Sequence, residues 1–193
     1  MVSALILVAN GSEEIEFVTP YDVFVRAGMT VRSASVGSTP ITLSRGVKIQ
    51  ADCQLSDLGT IEQITKDHDV LVLPGGVKGA EIFQHTQFVI ELMRCFYYSS
   101  HGKKLLCVIC ASCAIIDTAG IHANKRLTSH PSVKQQLTSH YNYSEDRVVV
   151  DGDLITSRGP GTALLFALTI VEKMLGSSRR DEIEGPMMLP ASL

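Results

Sequence analysis

The chain has 193 residues, of which 45% are hydrophobic and 19% charged, a balance that supplies a folded core and excludes a disordered chain. At about 150 residues per domain, that length predicts one domain over residues 1–193, with 181–193 as a C-terminal arm. Seventeen Lys and Arg stand against 20 Asp and Glu, a net charge of −3 with no basic run, which excludes nucleic acid as the main partner because phosphate neutralisation needs a basic footprint.

Residues 3–9 form an apolar run that predicts a strand buried on both faces. A helix follows over 15–27, closed by Gly28 and kinked at Pro20. Residues 30–36 read as a second strand, and 40–43 with 47–51 as a small hairpin around Ser44, Arg45 and Gly46. A further buried strand over 69–73 runs into Pro74, Gly75 and Gly76. The pattern then predicts one long helix over 81–100, ending at His101 and Gly102. A strand over 104–109 leads into a helix over 111–119, stopped by Gly120. Residues 148–150 and 154–156 flank the turn Asp151-Gly152-Asp153, and a last helix spans 162–175. Continuous β-branched runs alternating with helices predict parallel strands sandwiched between helical layers. Sites in such sheets lie beyond the carboxyl ends of the strands, which selects the loops 10–14, 74–79 and 110–113.

The apolar run at the N-terminus is too short and wrongly flanked for a signal peptide. The longest apolar stretch, 105–116, falls short of the roughly 18 residues that cross a bilayer. A membrane role is therefore not expected. Five cysteines, an odd number without an export signal, read as free thiols of a reducing cytoplasm, with nuclear pools open to a chain small enough to diffuse.

Cys107, Cys110 and Cys113 give two overlapping Cys-x-x-Cys spacings. A structural zinc needs four ligands, and no second cluster supplies them, so no metal is expected. Cys107 should point into the core, as small buried cysteines commonly do. Cys110 falls at the junction of strand and helix, where a sharp turn presents a side chain above the sheet. A helix N-terminus behind the sulfur would lower its pKa. The bland alternative is a third inert core cysteine. Gly75 and Gly76 offer amides unshielded by side chains, able to hold an oxyanion, or else make an ordinary turn. Glu13, Glu14 and Glu16 stand at a helix start, where glutamates usually just complement the dipole. A carboxyl reaching into the cleft would instead stay protonated beside a thiolate. His130 precedes Pro131 and is held extended, which by spacing alone reads as a surface loop. Gly159-Pro160-Gly161 lacks the third glycine of a dinucleotide fingerprint.

Asn10-Gly-Ser-Glu-Glu-Ile-Glu16, Leu73-Pro-Gly-Gly-Val-Lys-Gly-Ala80, Val108-Ile-Cys-Ala111, Thr128-Ser-His-Pro131 and Thr156-Ser-Arg-Gly-Pro-Gly-Thr162 occur in one order. Together they resemble the ThiJ/PfpI superfamily in its DJ-one branch, from about residue 3 to residue 176. The resemblance implies a flavodoxin-like, doubly wound, mostly parallel α/β sheet and a homodimer. It implies Cys110 as nucleophile, Glu16 as the buried acid beside it and His130 as the nearby imidazole. Gly75, Gly76 and Ala111 become oxyanion amides, and Arg45 and Arg158 cleft or dimer-interface residues. The implied activity is a glutathione-independent glyoxalase, turning methylglyoxal into lactate through a cysteine hemithioacetal, with no metal or cofactor. Removal of glyoxal adducts from protein or nucleotide would use the same residues. The competing expectation is a non-catalytic redox sensor or holdase built on the same thiol. Two departures matter: Ser112-Cys113 replace the Gly-Pro of many relatives, and Ala111 stands where the protease-like branch has histidine, which weakens a peptidase. Glutamine amidotransfer lacks a partner domain in a chain of this length.

Overall fold

The computed structural model describes residues 1–37, 39–99, 102–121 and 124–189. The expected end of a helix at Ser100 and His101, and the last four residues including Pro190, lie outside them. The central sheet contains β1 (Ser3–Val8), β2 (Thr30–Ser35), β3 (Cys53–Gln54), β4 (Val70–Leu73), β5 (Leu105–Ile109), β6 (Val148–Asp151) and β7 (Leu154–Ser157). Its order is β6-β7-β5-β4-β1-β2-β3. Every pair is parallel except β6 with β7, an antiparallel hairpin at one edge. This is a flavodoxin-like α/β fold. Residues 41–42 and 48–49 pair antiparallel as the expected hairpin, in shorter form.

Side chains alternate across a strand, and β1 shows the consequence. Ala4, Ile6 and Val8 face one core layer, whereas Leu5, Leu7 and Ala9 face the other. The first layer packs beneath α1 (Glu14–Arg26) and α7 (Ala163–Leu175), through Phe17, Phe24, Phe166 and Ile170. The second packs beneath α2 (Ile61–Asp67), α3 (Val77–His85) and α4 (Gln87–Tyr98), joined by α5 (Ala114–Thr118) and α6 (Lys134–Leu137). Helix α1 runs unbroken through the buried Pro20 and ends as expected, Gly28 adopting φ 77°.

Three expectations need correction. The long helix over 81–100 is two helices, α3 and α4, parted at Thr86. That residue is extended (φ −98°, ψ 100°) and its hydroxyl donates to the Ile82 carbonyl at 2.7 Å, closing α3 where α4 begins. The helix over 111–119 opens as a 3-10 turn, Cys110–Cys113, and only then becomes α5. The C-terminal arm is a helix, α8 (Ser177–Met187), that starts before residue 181. Arg179 Nε donates to the Ala27 carbonyl at 3.0 Å, so α8 is pinned to the end of α1.

Phe166 is fully buried between α7 and the sheet. Phe166→Ala should cost about 3–5 kcal/mol through lost burial and the cavity left behind. A urea titration followed by far-ultraviolet circular dichroism measures it.

Candidate active site

The chain runs outward in both directions from the boundary between β1 and β4, and ligand sites of open α/β sheets form at such a switch point. There β1 delivers the loop before α1, β4 delivers Pro74 to Gly76, and β5 delivers Cys110. The turn at Cys110 is sharp enough to hold φ at 66°, a conformation that costs a residue with a Cβ about 1–2 kcal/mol. Ser112 Oγ braces the turn by donating to the Pro74 carbonyl at 2.6 Å.

Glu16 lies in the first turn of α1. Glu13 caps that helix, its Oε2 accepting the Glu16 N–H at 2.8 Å. The Glu16 side chain is 0% exposed; Oε2 accepts the Gly75 N–H at 2.8 Å, and Oε1 has no partner among the described residues. Burial pushes the Glu16 pKa up to about 7, against hydrogen bonds from Cys110 and Gly75. Burial likewise pushes the Cys110 thiol up to about 12, aided by the charge and hydrogen bond of Glu16 and opposed by the Gly76 and Ala111 amides. Two neighbouring acids in a dry site thus hold on to one proton. When Glu16 carries it, the charge repulsion on the thiol vanishes, and the carboxyl donates to sulfur, so that its hydrogen bond lowers the thiol pKa instead of raising it.

The thiol expected to be lowered by a helix N-terminus is therefore held up while Glu16 is charged. Only a 3-10 turn and the five residues of α5 follow the sulfur, too few aligned peptides to outweigh burial. The amides themselves divide. Those of Gly76 and Ala111 face the sulfur, but that of Gly75, expected as an oxyanion donor, is spent on Glu16. Gly75 is glycine for room: a Cβ there would lie 2.5 Å from Cys110 Cβ and 2.6 Å from Glu16 Oε2.

His130 is extended, as the following proline requires, but its ring lines the cleft rather than open solvent. Its Nδ1 accepts the Ser132 N–H at 3.2 Å, which leaves the proton of the neutral ring on Nε2. The cleft has a volume of about 700 Å³, within the range of small-molecule sites. Arg45 and Lys78 stand at it beside Cys110, Ala111 and His130. Arg158 does not; it pairs with Glu145 at 2.5 Å. Cys113 packs into the opposite layer, its thiol donating to Val108 and Ser157 carbonyls at 3.4 and 3.6 Å. Cys107 is fully buried, and burial raises both thiols well above their usual range. Among the described residues no three His, Cys, Asp or Glu side chains converge as metal ligands would, and no helix is long and apolar enough to cross a membrane.

Sequence reasoning missed the parts played by Glu13, Ser112 and Ser132. An acid three residues before Glu16 is a capping spacing that could have flagged Glu13. Ser112 acts across the fold and leaves no local signal.

A flavodoxin-like sandwich whose strand-to-helix elbow sets a cysteine against a buried carboxyl defines a class of cysteine-centred α/β proteins. The chain belongs to the DJ-1/PfpI family, whose model matches residues 2–173. It is 41% identical over 184 residues to "Protein dj-1beta" of Drosophila melanogaster, covering 94% of each chain. It is 34% identical over 194 residues to "Glutathione-independent glyoxalase DJ-1" of Schizosaccharomyces pombe, covering 98% of this chain and 100% of that one. The solved structure of Schizosaccharomyces pombe DJ-1 superposes with a TM-score of 0.91 at 32% identity, with 98% of this chain and 100% of that one covered.

Because the folded-state pKa of Glu16 lies above its ordinary value of 4.5, its contribution to stability is full below about pH 4.5 and is lost as pH rises through about 7. The urea midpoint of the wild type should therefore fall from about pH 5 to about pH 8 by more than that of Glu16→Gln, which carries no such proton. Equal falls in the two proteins would refute the raised carboxyl.

Proposed function

We propose that this protein is a glutathione-independent glyoxalase, a lyase that converts methylglyoxal into lactate without metal or organic cofactor. One arrangement carries the reading: a cysteine held at positive φ lies against the buried Glu16 carboxyl, with the Gly76 and Ala111 amides turned to its sulfur at the wall of an open cleft. The name of the Schizosaccharomyces pombe relative supports it.

The Cys110 thiolate adds to the aldehyde carbon, and the new alkoxide takes a proton to give a hemithioacetal. The Gly76 and Ala111 amides stabilise the charge on that oxygen. Glu16 removes the proton from the former aldehyde carbon, and an enediol forms. His130 donates from Nε2 toward its oxygen, and a proton returned to the neighbouring carbon gives the lactoyl thioester. Water then releases lactate and the thiol. Arg45 and Lys78 at the mouth favour substrates with electronegative oxygens. Removal of glyoxal adducts from protein or nucleotide would use the same thiol and acid.

A second reading, a non-catalytic redox sensor or holdase, draws on the same sulfur, since an accessible thiolate is what peroxide selects. A proton-sharing carboxyl and an imidazole of fixed tautomer serve catalysis more directly than sensing. We further propose one domain, acting in the cytoplasm and free to enter the nucleus, that pairs with a second copy. Ile15, Val18 and Val25 on α1 and Val47 on the adjoining hairpin are each half exposed, an apolar row that a second copy would cover. Val18→Glu with Val25→Glu should halve the mass measured by light scattering.

Cys110→Ala should abolish methylglyoxal consumption in the absence of glutathione, with circular dichroism unchanged, while Cys107→Ala and Cys113→Ala retain turnover. Glu16→Gln should form hemithioacetal without lactate, and His130→Ala should slow turnover by about 10²–10⁴-fold. Equal loss in the three cysteine variants would end the single-nucleophile assignment. Stepwise peroxide should oxidise Cys110 first; peptide mapping that finds Cys53 or Cys95 ahead of it would remove the basis of both readings.

A further inference from the structure

Methylglyoxal fills only a small part of the cleft. A volume of about 700 Å³ is the size of a site for a much longer ligand. Arg45 and Lys78 line that space with Cys110, and neither side chain has an ion pair or a hydrogen bond among the described residues. Two cations are therefore left without a counter-charge in the cavity that holds the nucleophile.

Carboxylates stand nearby, but the chain itself engages them. Glu13 Oε2 accepts the Glu16 N–H at 2.8 Å. Glu14 accepts the Ser44 hydroxyl at 2.8 Å and the Arg45 main-chain N–H at 2.6 Å, so it holds the hairpin backbone while the guanidinium stays unpaired. Ser132 spends its hydroxyl on His130 Nδ1, at 2.8 Å. Asn10, which also lines the cleft, adds a further donor. Its Oδ1 accepts the Thr42 N–H at 2.8 Å, and because a main-chain N–H can only donate, the side-chain amide is fixed with its oxygen toward the hairpin. Its NH₂ group keeps both protons unpaired among the described residues. The unspent groups of Asn10, Arg45 and Lys78 are all donors, and a guanidinium presents them in the planar fork that matches a carboxylate.

We propose that the cleft selects α-oxoaldehydes carrying a carboxylate tail, which Arg45, Lys78 and Asn10 bind while the aldehyde meets Cys110. This rests on the glyoxalase reading and narrows its substrate class. The bonds that change are the same. The thiolate adds to the aldehyde carbon, the hydrogen of that carbon is replaced by one on the former ketone carbon, and water breaks the carbon–sulfur bond. One water is consumed, the product is an α-hydroxy dicarboxylate, and there is no net oxidation. The tail takes no part in these steps, so the three residues set specificity and are not catalytic.

Methylglyoxal lengthened at its methyl by a carboxymethyl group (dioxovalerate) tests this against its own methyl ester, since methylene groups insulate the aldehyde from either end. The wild type should prefer the acid by about 10-fold in kcat/KM, the size of a few charge-assisted contacts at a partly exposed site. Rising ionic strength should shrink that preference. Arg45→Gln combined with Lys78→Gln should bring acid and ester level with circular dichroism unchanged, and Asn10→Asp should lower the preference. Arg32→Gln, an exposed position near the start of β2, should keep the wild-type ratio, which separates a local subsite from overall charge. Equal rates on acid and ester in the wild type, or a preference that survives the double variant, overturns the proposal while turnover of methylglyoxal leaves the glyoxalase reading standing. A wild type that consumes neither aldehyde defeats that reading, and binding then decides the subsite by itself. Levulinate, which has a methyl in place of the aldehyde, should bind Cys110→Ala more tightly than methyl levulinate in titration calorimetry; equal binding overturns the subsite.

Discussion

One proton shared between the Glu16 carboxyl and the Cys110 thiol governs this site, and much of the surrounding structure exists to keep that proton in a dry place. Either group alone, as exposed as an ordinary side chain, would titrate independently and do little. Buried side by side, both are pushed up by desolvation; Glu16 raises the thiol further, whereas the thiol's hydrogen bond holds the carboxyl down. The close approach depends on Gly75, because any Cβ there would push the sulfur and the carboxyl apart. It also depends on Glu13, which holds the Glu16 N–H and so sets where α1 begins.

The sheet supplies the rigidity this pairing needs. β1, β4 and β5 are buried on both faces and lie side by side in parallel, so the three loops that leave them arrive at fixed positions. That scaffold is what sustains the positive φ of Cys110, since strain of this size persists only where the surroundings over-determine it. Ser112 and the Pro74 carbonyl tie the elbow directly to the glycine loop. The thiols divide between the two core layers: Cys107, in β5, and Cys110, in the turn beyond it, belong to the α1/α7 layer, and Cys113 to the other. Cys107 and Cys113 are fully buried with their thiols raised well above the usual range, and Cys110 alone of the three lines the cleft.

The departures between pattern and structure have local causes that hydrophobic periodicity does not register. Thr86 breaks an apparently continuous helix with its own hydroxyl and an extended backbone. The two-residue strand β3 is too short to alternate visibly, and α2 buries little beyond Ile64 and Thr65, so neither stands out in the pattern. α8 is polar along its length, and its place comes from Arg179 reaching the end of α1, a contact between residues 152 positions apart.

The sequence by itself determined the strands, the alternation that gives an α/β sandwich, and the three loops at which chemistry gathers. These follow from side-chain period and from Gly and Pro, which act within a few residues. Motif order then pointed to Cys110, Glu16 and His130. Only the tertiary structure decided which amide faces the sulfur and which is spent on Glu16, why His130 carries its proton on Nε2, and that Oε1 is buried without a partner among the described residues. Each of these is a relation of a few ångströms between segments tens of residues apart. Proton sharing, desolvation and hydrogen-bond direction depend on distance in space, which the order of residues does not encode.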